Sequence, residues 1–373
     1  MKKRVFAFLT ALITALSIQT FAVGAQNTCE VSDAQAYISD NLKNGYLSFP
    51  GSITYVISGE AIREFYYNSD IKYYVFGTNG ISVRADKNGF FDFDLKKVSF
   101  CTSASAFDVI YYYNSGAQKR LSRVNIPVRY ELSLPQTSSR TTASFNGATV
   151  KALSNDGGRL VFETENVGAF SVVEFEFDDV REPFRWFYNH VNSAGALGIL
   201  DGMDGRNFEP RANVTRAQLA AMIVKATQDI ISYRIDPSLS FKDVPQGKWY
   251  YDYVMKCAAL GIVDGVGDGM YNPLAGATRE EIATVIARLL KLIGKYGENP
   301  LPDIDASSAG AELAGLYIDS GSIHNYARES VLLCYKLGIM QGDSEGFRAR
   351  SKTVRAECAK IFYLINRELS IIK

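Results

Sequence analysis

The chain has 373 residues, 47% of them hydrophobic, with 40 basic and 40 acidic side chains and a formal net charge of zero. That length predicts two or three domains with buried cores. Balanced charge without a basic tail or patch gives no footing for nucleic acid or an anionic membrane surface.

Residues 1–25 read as a secretory signal. Lys2, Lys3 and Arg4 form the charged start, Val5 to Ala22 the apolar run, and Val23-Gly24-Ala25 a small-residue cleavage site before Gln26. No later apolar stretch is long enough to span a bilayer. Residues 31 to 43 predict a short helix. From Ile53 to Tyr113, short runs rich in Tyr, Phe, Ile and Val predict strands, punctuated by Asn79-Gly80 and Asn88-Gly89 as hairpin turns. Residues 122–179 continue as strands. Pro127 is expected at a sheet edge, and Asn155-Asp-Gly-Gly is a turn. Ser171 to Phe177 alternates, with Val173, Phe175 and Phe177 on one side.

Cys29 and Cys101 are the pair outside the C-terminal part of the chain, and a secreted protein can oxidise them to a disulfide. Cys257, Cys334 and Cys358 fall in core positions of helices. The two histidines, His190 and His324, lie near helix starts and read as surface or packing residues. No phosphate loop, zinc motif or Gly-x-Ser-x-Gly is present, so no catalytic residue, metal or cofactor is predicted.

The C-terminal part repeats itself. Trp186, Gly198 and Arg216 recur at a constant offset as Trp249, Gly261 and Arg279, and a looser copy carries Tyr326, Gly338 and Arg355. Each unit reads as helix, turn, helix. In the middle copy, Ile282, Val285, Ile286, Leu289, Leu290 and Ile293 form one helical face; Cys358, Ile361, Phe362, Ile365 and Leu369 do so in the third. Thr215 with Gln218 and Thr278 with Glu281 predict capping boxes, and the glycines predict left-handed C-caps. The arginines stand in the first turn of their helices, against the dipole. A helix start is also an anion site, and a guanidinium adds a bidentate fork for a carboxylate. The other reading is a salt bridge to Glu281 or Asp243.

These motifs resemble the S-layer homology (SLH) family over roughly residues 177 to 370. Phe177-Asp-Asp-Val and Phe241-Lys-Asp-Val match its start, and Thr215-Arg-Ala-Gln and Thr278-Arg-Glu-Glu its helix motif. The resemblance implies three repeats packed as a pseudo-threefold spindle. Their grooves would bind secondary cell-wall polysaccharide, often through a pyruvylated sugar. It implies Arg216, Arg279 and Arg355 as contacts to the acidic group, Trp186 and Trp249 as groove walls, and Gln218, Glu281 and Glu357 in the same site. The third copy departs from the pattern: Tyr326 replaces Trp, Val354 replaces Thr and Ala349 replaces Pro. Arg279 is therefore expected to matter most and Arg355 least.

The expected architecture is an N-terminal all-β, sandwich-like region followed by an all-α SLH pseudo-trimer. The divisions are 26–121 and 122–176 for the β part, then 177–239, 240–300 and a degenerate 301–373. The expected protein is secreted, held at the cell wall, and not an enzyme. A structural S-layer subunit and a wall-anchored glycan-active enzyme stay as alternatives. The β part is too short for a large porin barrel.

Overall fold

The computed structural model describes residues 28–367 except 79, 89, 92–93, 104, 229 and 295–300. The secretory signal lies outside the described residues, as do Asn79 and Gly89 of the expected turns and Leu369. Helices are labelled α1 (Ala34–Asn41), α2 (Gly59–Tyr67), α3 (Tyr188–Ala196), α4 (Arg216–Thr227), α5 (Tyr251–Ala259), α6 (Arg279–Gly294), α7 (Ala309–Leu316), α8 (Arg328–Lys336) and α9 (Arg355–Arg367).

The N-terminal part is rich in β-structure but not all-β. One sheet runs Thr28–Val31, Thr54–Ser58, Leu95–Ser103, Ala106–Tyr113, Gly168–Ala169, with Gln118–Arg120 also on Ala106–Tyr113. A second runs Ala152–Asp156, Arg159–Asn166, Arg123–Ser133, Ile81–Asp86, Tyr73–Thr78, Tyr46–Pro50, Leu42–Lys43. Two strand pairs are parallel: Thr28–Val31 with Thr54–Ser58, and Tyr46–Pro50 with Tyr73–Thr78. Parallel neighbours need a crossover, usually helical; α1 and α2 lie in these two crossovers. Ser58 caps α2 by accepting from the Ala61 N–H at 3.1 Å, and Ala61, Ile62 and Phe65 are its buried face. A β-carbon at Gly59 would collide with the Leu95 carbonyl, so α2 sits directly on that strand.

The two sheets meet through aromatic rings. Phe76 of the second lies 4.5 Å from Phe100 and 4.9 Å from Phe107 of the first, centroid to centroid. Phe49 joins at 5.0 Å from Phe100. The expected divide near residue 122 does not separate two bodies, because the second sheet takes strands from both sides of it. Arg123–Ser133 is an inner strand, yet its pairing with Ile81–Asp86 covers only Val128–Leu132, so Pro127 lies beyond that ladder. The proline stands where the register shifts between Arg123 and Val128, so its missing N–H breaks no regular ladder.

The expected Cys29–Cys101 disulfide is also corrected. Both cysteines are free thiols. Cys29 stands opposite Tyr55 and Cys101 opposite Thr54, so strand Thr54–Ser58 separates them and they project to opposite faces. Two strand spacings put their Cα atoms about 10 Å apart, beyond the ~7 Å limit for a bridge. Thiol titration of denatured, unreduced protein should therefore count all five cysteines; a count of three would reinstate the bridge.

A third sheet, Ala148–Val150, Thr141–Phe145, Ser171–Glu174, carries the chain into the helical half. The junction is packed. Ser193 of α3 donates to Ser139 at 2.7 Å, and Arg140 donates to the Tyr188 hydroxyl at 2.8 Å. Gly195 faces the Phe175 ring, which a β-carbon would overlap.

Each helical unit has a first helix (α3, α5, α8), a turn and a second helix (α4, α6, α9). Thr215 and Thr278 cap α4 and α6 as predicted, and Gly198, Gly261 and Gly338 adopt φ of +62°, +66° and +69°. The second helix of each unit packs on the first helix of the next: α4 on α5, α6 on α8, and α9 back on α3. The order is therefore cyclic. Leu219, Ile223, Ile282, Ile286, Cys358 and Phe362 are buried, the last four as their spacing predicted.

Candidate functional site

Each turn is fixed by one aspartate. The Asp179 carboxylate accepts from the N–H groups of Phe208 and Glu209, at 2.8 and 2.7 Å. Asp243 does the same for Tyr271 and Asn272, and Asp319 for Phe347 and Arg348, at the same distances. The second residue of each pair is left-handed: Glu209 at φ +58°, Asn272 at +61° and Arg348 at +56°. That backbone is unfavourable for a side-chain-bearing residue, and charge-assisted hydrogen bonds offset the strain.

The pinned turn receives the helix start of the preceding unit. Arg216 and Ala217 donate their N–H groups to Ala275 and Pro273; Arg279 and Glu280 to Ser351 and Ala349; Arg355 and Ala356 to Ala212 and Pro210, all at 2.9–3.0 Å. The expectation that these N–H groups face a ligand is corrected. They satisfy the helix end by joining units.

The arginines follow the same rule. Arg216 donates Nε to the Tyr271 carbonyl (2.8 Å) and Nη2 to that of Asp264 (2.8 Å). Arg279 takes Phe347 (2.8 Å) and Gln341 (2.9 Å), and Arg355 takes Phe208 (2.7 Å) and Asp201 (2.9 Å). Each guanidinium also lies over the ring of the turn aromatic, at 4.5, 5.1 and 4.4 Å to Tyr271, Phe347 and Phe208. The Nε–Nη2 edge, expected to fork a ligand carboxylate, is thus filled by protein carbonyls. Arg279 is 7% and Arg355 3% exposed; Arg216 is the more open. Burial holds the Arg355 guanidinium below its ordinary pKa, against the pull of Cys358, Glu209, Asp179 and Asp201.

Nη1 is the remaining nitrogen. At Arg216 it faces Glu281 of the next unit at 3.5 Å, and at Arg279 it meets Glu357 at 2.8 Å. The salt-bridge reading therefore holds for Glu281, whereas Asp243 serves the turn.

The aromatic side chains are open. Trp186, Trp249 and Tyr326 are 55%, 57% and 60% exposed, each just ahead of a first helix. Around Arg216 lies a groove of about 220 Å³ lined by residues of all three units, among them Arg216, Glu281, Val266, Arg288 and Tyr326. An aromatic from the third unit thus walls a groove between the first and second. The phenol of Tyr326 is pushed up by burial and then by Glu280 and Glu281. Cyclic order sets Trp249 beside the Arg355 groove, where Lys225 pairs with Asp201 and lies 6.0 Å from the Tyr253 ring, itself beside Trp249.

Sequence reading missed the groove-lining pairs Asp264–Arg288 and Asp201–Lys225. The signal was present: Asp follows the motif glycine by three positions in both units, and a cation follows the motif arginine by nine. It also missed Glu280. This buried carboxylate stands where the other units have Ala217 and Ala356, and accepts from the His324 N–H at 3.1 Å and contacts Nδ1 at 2.6 Å. His190, by contrast, sits against the Trp186 carbonyl and the Tyr363 ring.

The chain matches the S-layer homology domain at residues 176–220, 240–283 and 317–359. Its C-terminal half is thus built from three S-layer homology domains. It is similar to an amylopullulanase of Thermoanaerobacterium thermosulfurigenes, 27% identical over 55% of this chain and 10% of the relative. It is similar to the S-layer protein sap of Bacillus anthracis, 25% identical over 47% of the chain and 19% of the relative. A cellulosome-anchoring protein of Acetivibrio thermocellus is 27% identical over 49% of the chain and 38% of its own length. The chain thus spans well under two thirds of these relatives. These domains and surface relatives make it a secreted, wall-anchored protein of the cell surface. Among the described residues, no helix is long and apolar enough to cross a membrane.

Proposed function

We propose that the helical half is a pseudo-threefold module that holds the protein non-covalently on secondary cell-wall polysaccharide, and that the β-rich part is displayed from it. The sugar chain lies in the grooves between units, stacked against Trp186, Trp249 and Tyr326, with its acidic substituent turned toward the inter-unit arginines. One observation carries this reading: three large aromatics, Trp186, Trp249 and Tyr326, stand at equivalent positions and are each more than half exposed. An exposed ring beside paired charges fits a sugar, which offers an apolar face for stacking and hydroxyls for the polar rim. Glu281 and Glu357 act here through the arginines they pair with, and Gln218 through the cap of its helix. The expected acid is a pyruvylated sugar.

The full chain should co-sediment with purified wall sacculi and be released from sacculi whose ketal-linked acids have been removed by mild acid. Equal retention after that treatment counts against carboxylate recognition. No retention on untreated sacculi removes the anchoring role.

A further inference from the structure

One buried carboxylate has no counterpart in the other two units. Glu280 is the second residue of α6, where α4 has Ala217 and α9 has Ala356, and it is 3% exposed. The backbone does not need it there, since the N–H groups of Ala217, Glu280 and Ala356 alike donate to the turn of a neighbouring unit. A carboxylate withdrawn from water is costly unless hydrogen bonds replace its hydration, so its partners account for it. They lie in the lead-in to the third unit. One oxygen accepts from the His324 N–H at 3.1 Å, and the other meets Nδ1 of the same residue at 2.6 Å. Arg350 faces Nε2 at 3.5 Å, so the imidazole turns its lone pair to the cation and its N–H to Glu280. The His324 ring stacks on Tyr326, with centroids 5.7 Å apart and planes 23° from parallel. The Tyr326 phenol lies beside the same carboxylate: burial is the first cause that pushes it up and Glu280 the second. Ile323 and Ala327, on either side, are buried. The lead-in is thus fixed, and the half-open Tyr326 ring walls the groove around Arg216. In the equivalent places beside Trp249 and Trp186 stand Ala217 and Ala356.

We propose that Glu280 is a positioning residue: through His324 it holds the Tyr326 ring in place as the surface on which a sugar of the wall polysaccharide stacks. This role rests on reading the grooves as polysaccharide sites, and Glu280 itself does not touch the sugar. A phenol offers less stacking area than an indole, and a ring free to turn loses rotamer entropy when a ligand fixes it. Holding the ring in advance offsets both. The departure of the third unit from the tryptophan pattern is thus matched by a change in the second, and Glu280 with Tyr326 replaces the alanine and tryptophan of the other two units.

The probe is solubilised wall polysaccharide, titrated calorimetrically into the full chain. Glu280→Ala installs the residue of the other units, so the variant should melt close to the parent and bind about tenfold more weakly. Glu280→Gln keeps the packing and one acceptor oxygen and should lose less. The decisive comparison is a double-mutant cycle. Glu280→Ala combined with Tyr326→Trp rebuilds the alanine–tryptophan pair and should recover the parental affinity. Tyr326→Trp alone sets an indole against the retained carboxylate and should bind more weakly than the double variant, so the two positions are coupled. A carboxylate that only stabilised the fold would not be replaced by a change of ring. Parental affinity in Glu280→Ala, additive effects in the cycle, or a melting temperature that falls in step with affinity overturns the role of Glu280 and leaves the wall-binding reading in place. A parent chain that binds no polysaccharide overturns both.

Discussion

Arg279→Ala is expected to destabilise the protein by about 3–5 kcal/mol, the usual cost of removing one partner from a buried ion pair. The substitution strands the Phe347 and Gln341 carbonyls and leaves the Glu357 carboxylate without its cation. It also removes the flat group that lies over Phe347. Arg279→Lys should recover less than half of the loss, because an ammonium is a point charge and cannot bridge two carbonyls and a carboxylate in one plane. Urea unfolding followed by far-UV circular dichroism measures both variants. A loss below about 1 kcal/mol together with weakened wall binding would return Arg279 to the role of a ligand contact.

Phe76→Ala should have an effect of similar size in the other half of the molecule. Phe76 is fully buried and touches Phe49, Phe90, Phe100 and Phe107, which come from both sheets and the segment between them. Truncating such a ring removes its transfer free energy and leaves a cavity, a loss of about 3–5 kcal/mol. Urea unfolding followed by near-UV circular dichroism should show a lowered midpoint for the variant. A variant with the parental midpoint would be incompatible with sheets that meet through this ring.

Much of the helical half could be read directly from the chain. Threonine caps, motif glycines and apolar faces are local features, and the spacing of residues along one helix decides them. The arginines show where that reasoning stops. Their register was plain, and a helix start does favour anions. The acceptors that reach them, however, belong to the next unit, and sequence spacing does not show which unit lies beside which. Glu281 has a double role for the same reason. Its capping oxygen is predictable from Thr278, but its second oxygen serves a neighbour. In the β part, α2 carried a visible signal in Ser58, Ala61, Ile62 and Phe65, obscured by the aromatic run around it. The disulfide failed on register. Cys29 and Cys101 look like a pair by elimination, yet Tyr55 and Thr54 fix them on opposite faces.

The contact of α9 with α3 has a mechanical consequence. In the proposed display, a load on the β-rich part would enter the helical half at α3, through the chain leading into it and the Ser139–Ser193 and Arg140–Tyr188 bonds beside it. That helix is also where the last unit closes on the first. Tension is therefore divided at once between two paths, one through the first unit to the second, the other directly into the third. In a linear array the unit nearest the pull would carry the whole force and peel away first. Here the last unit packs on the first, and in the proposed wall-bound state a tether built this way would resist shear with its grooves loaded together.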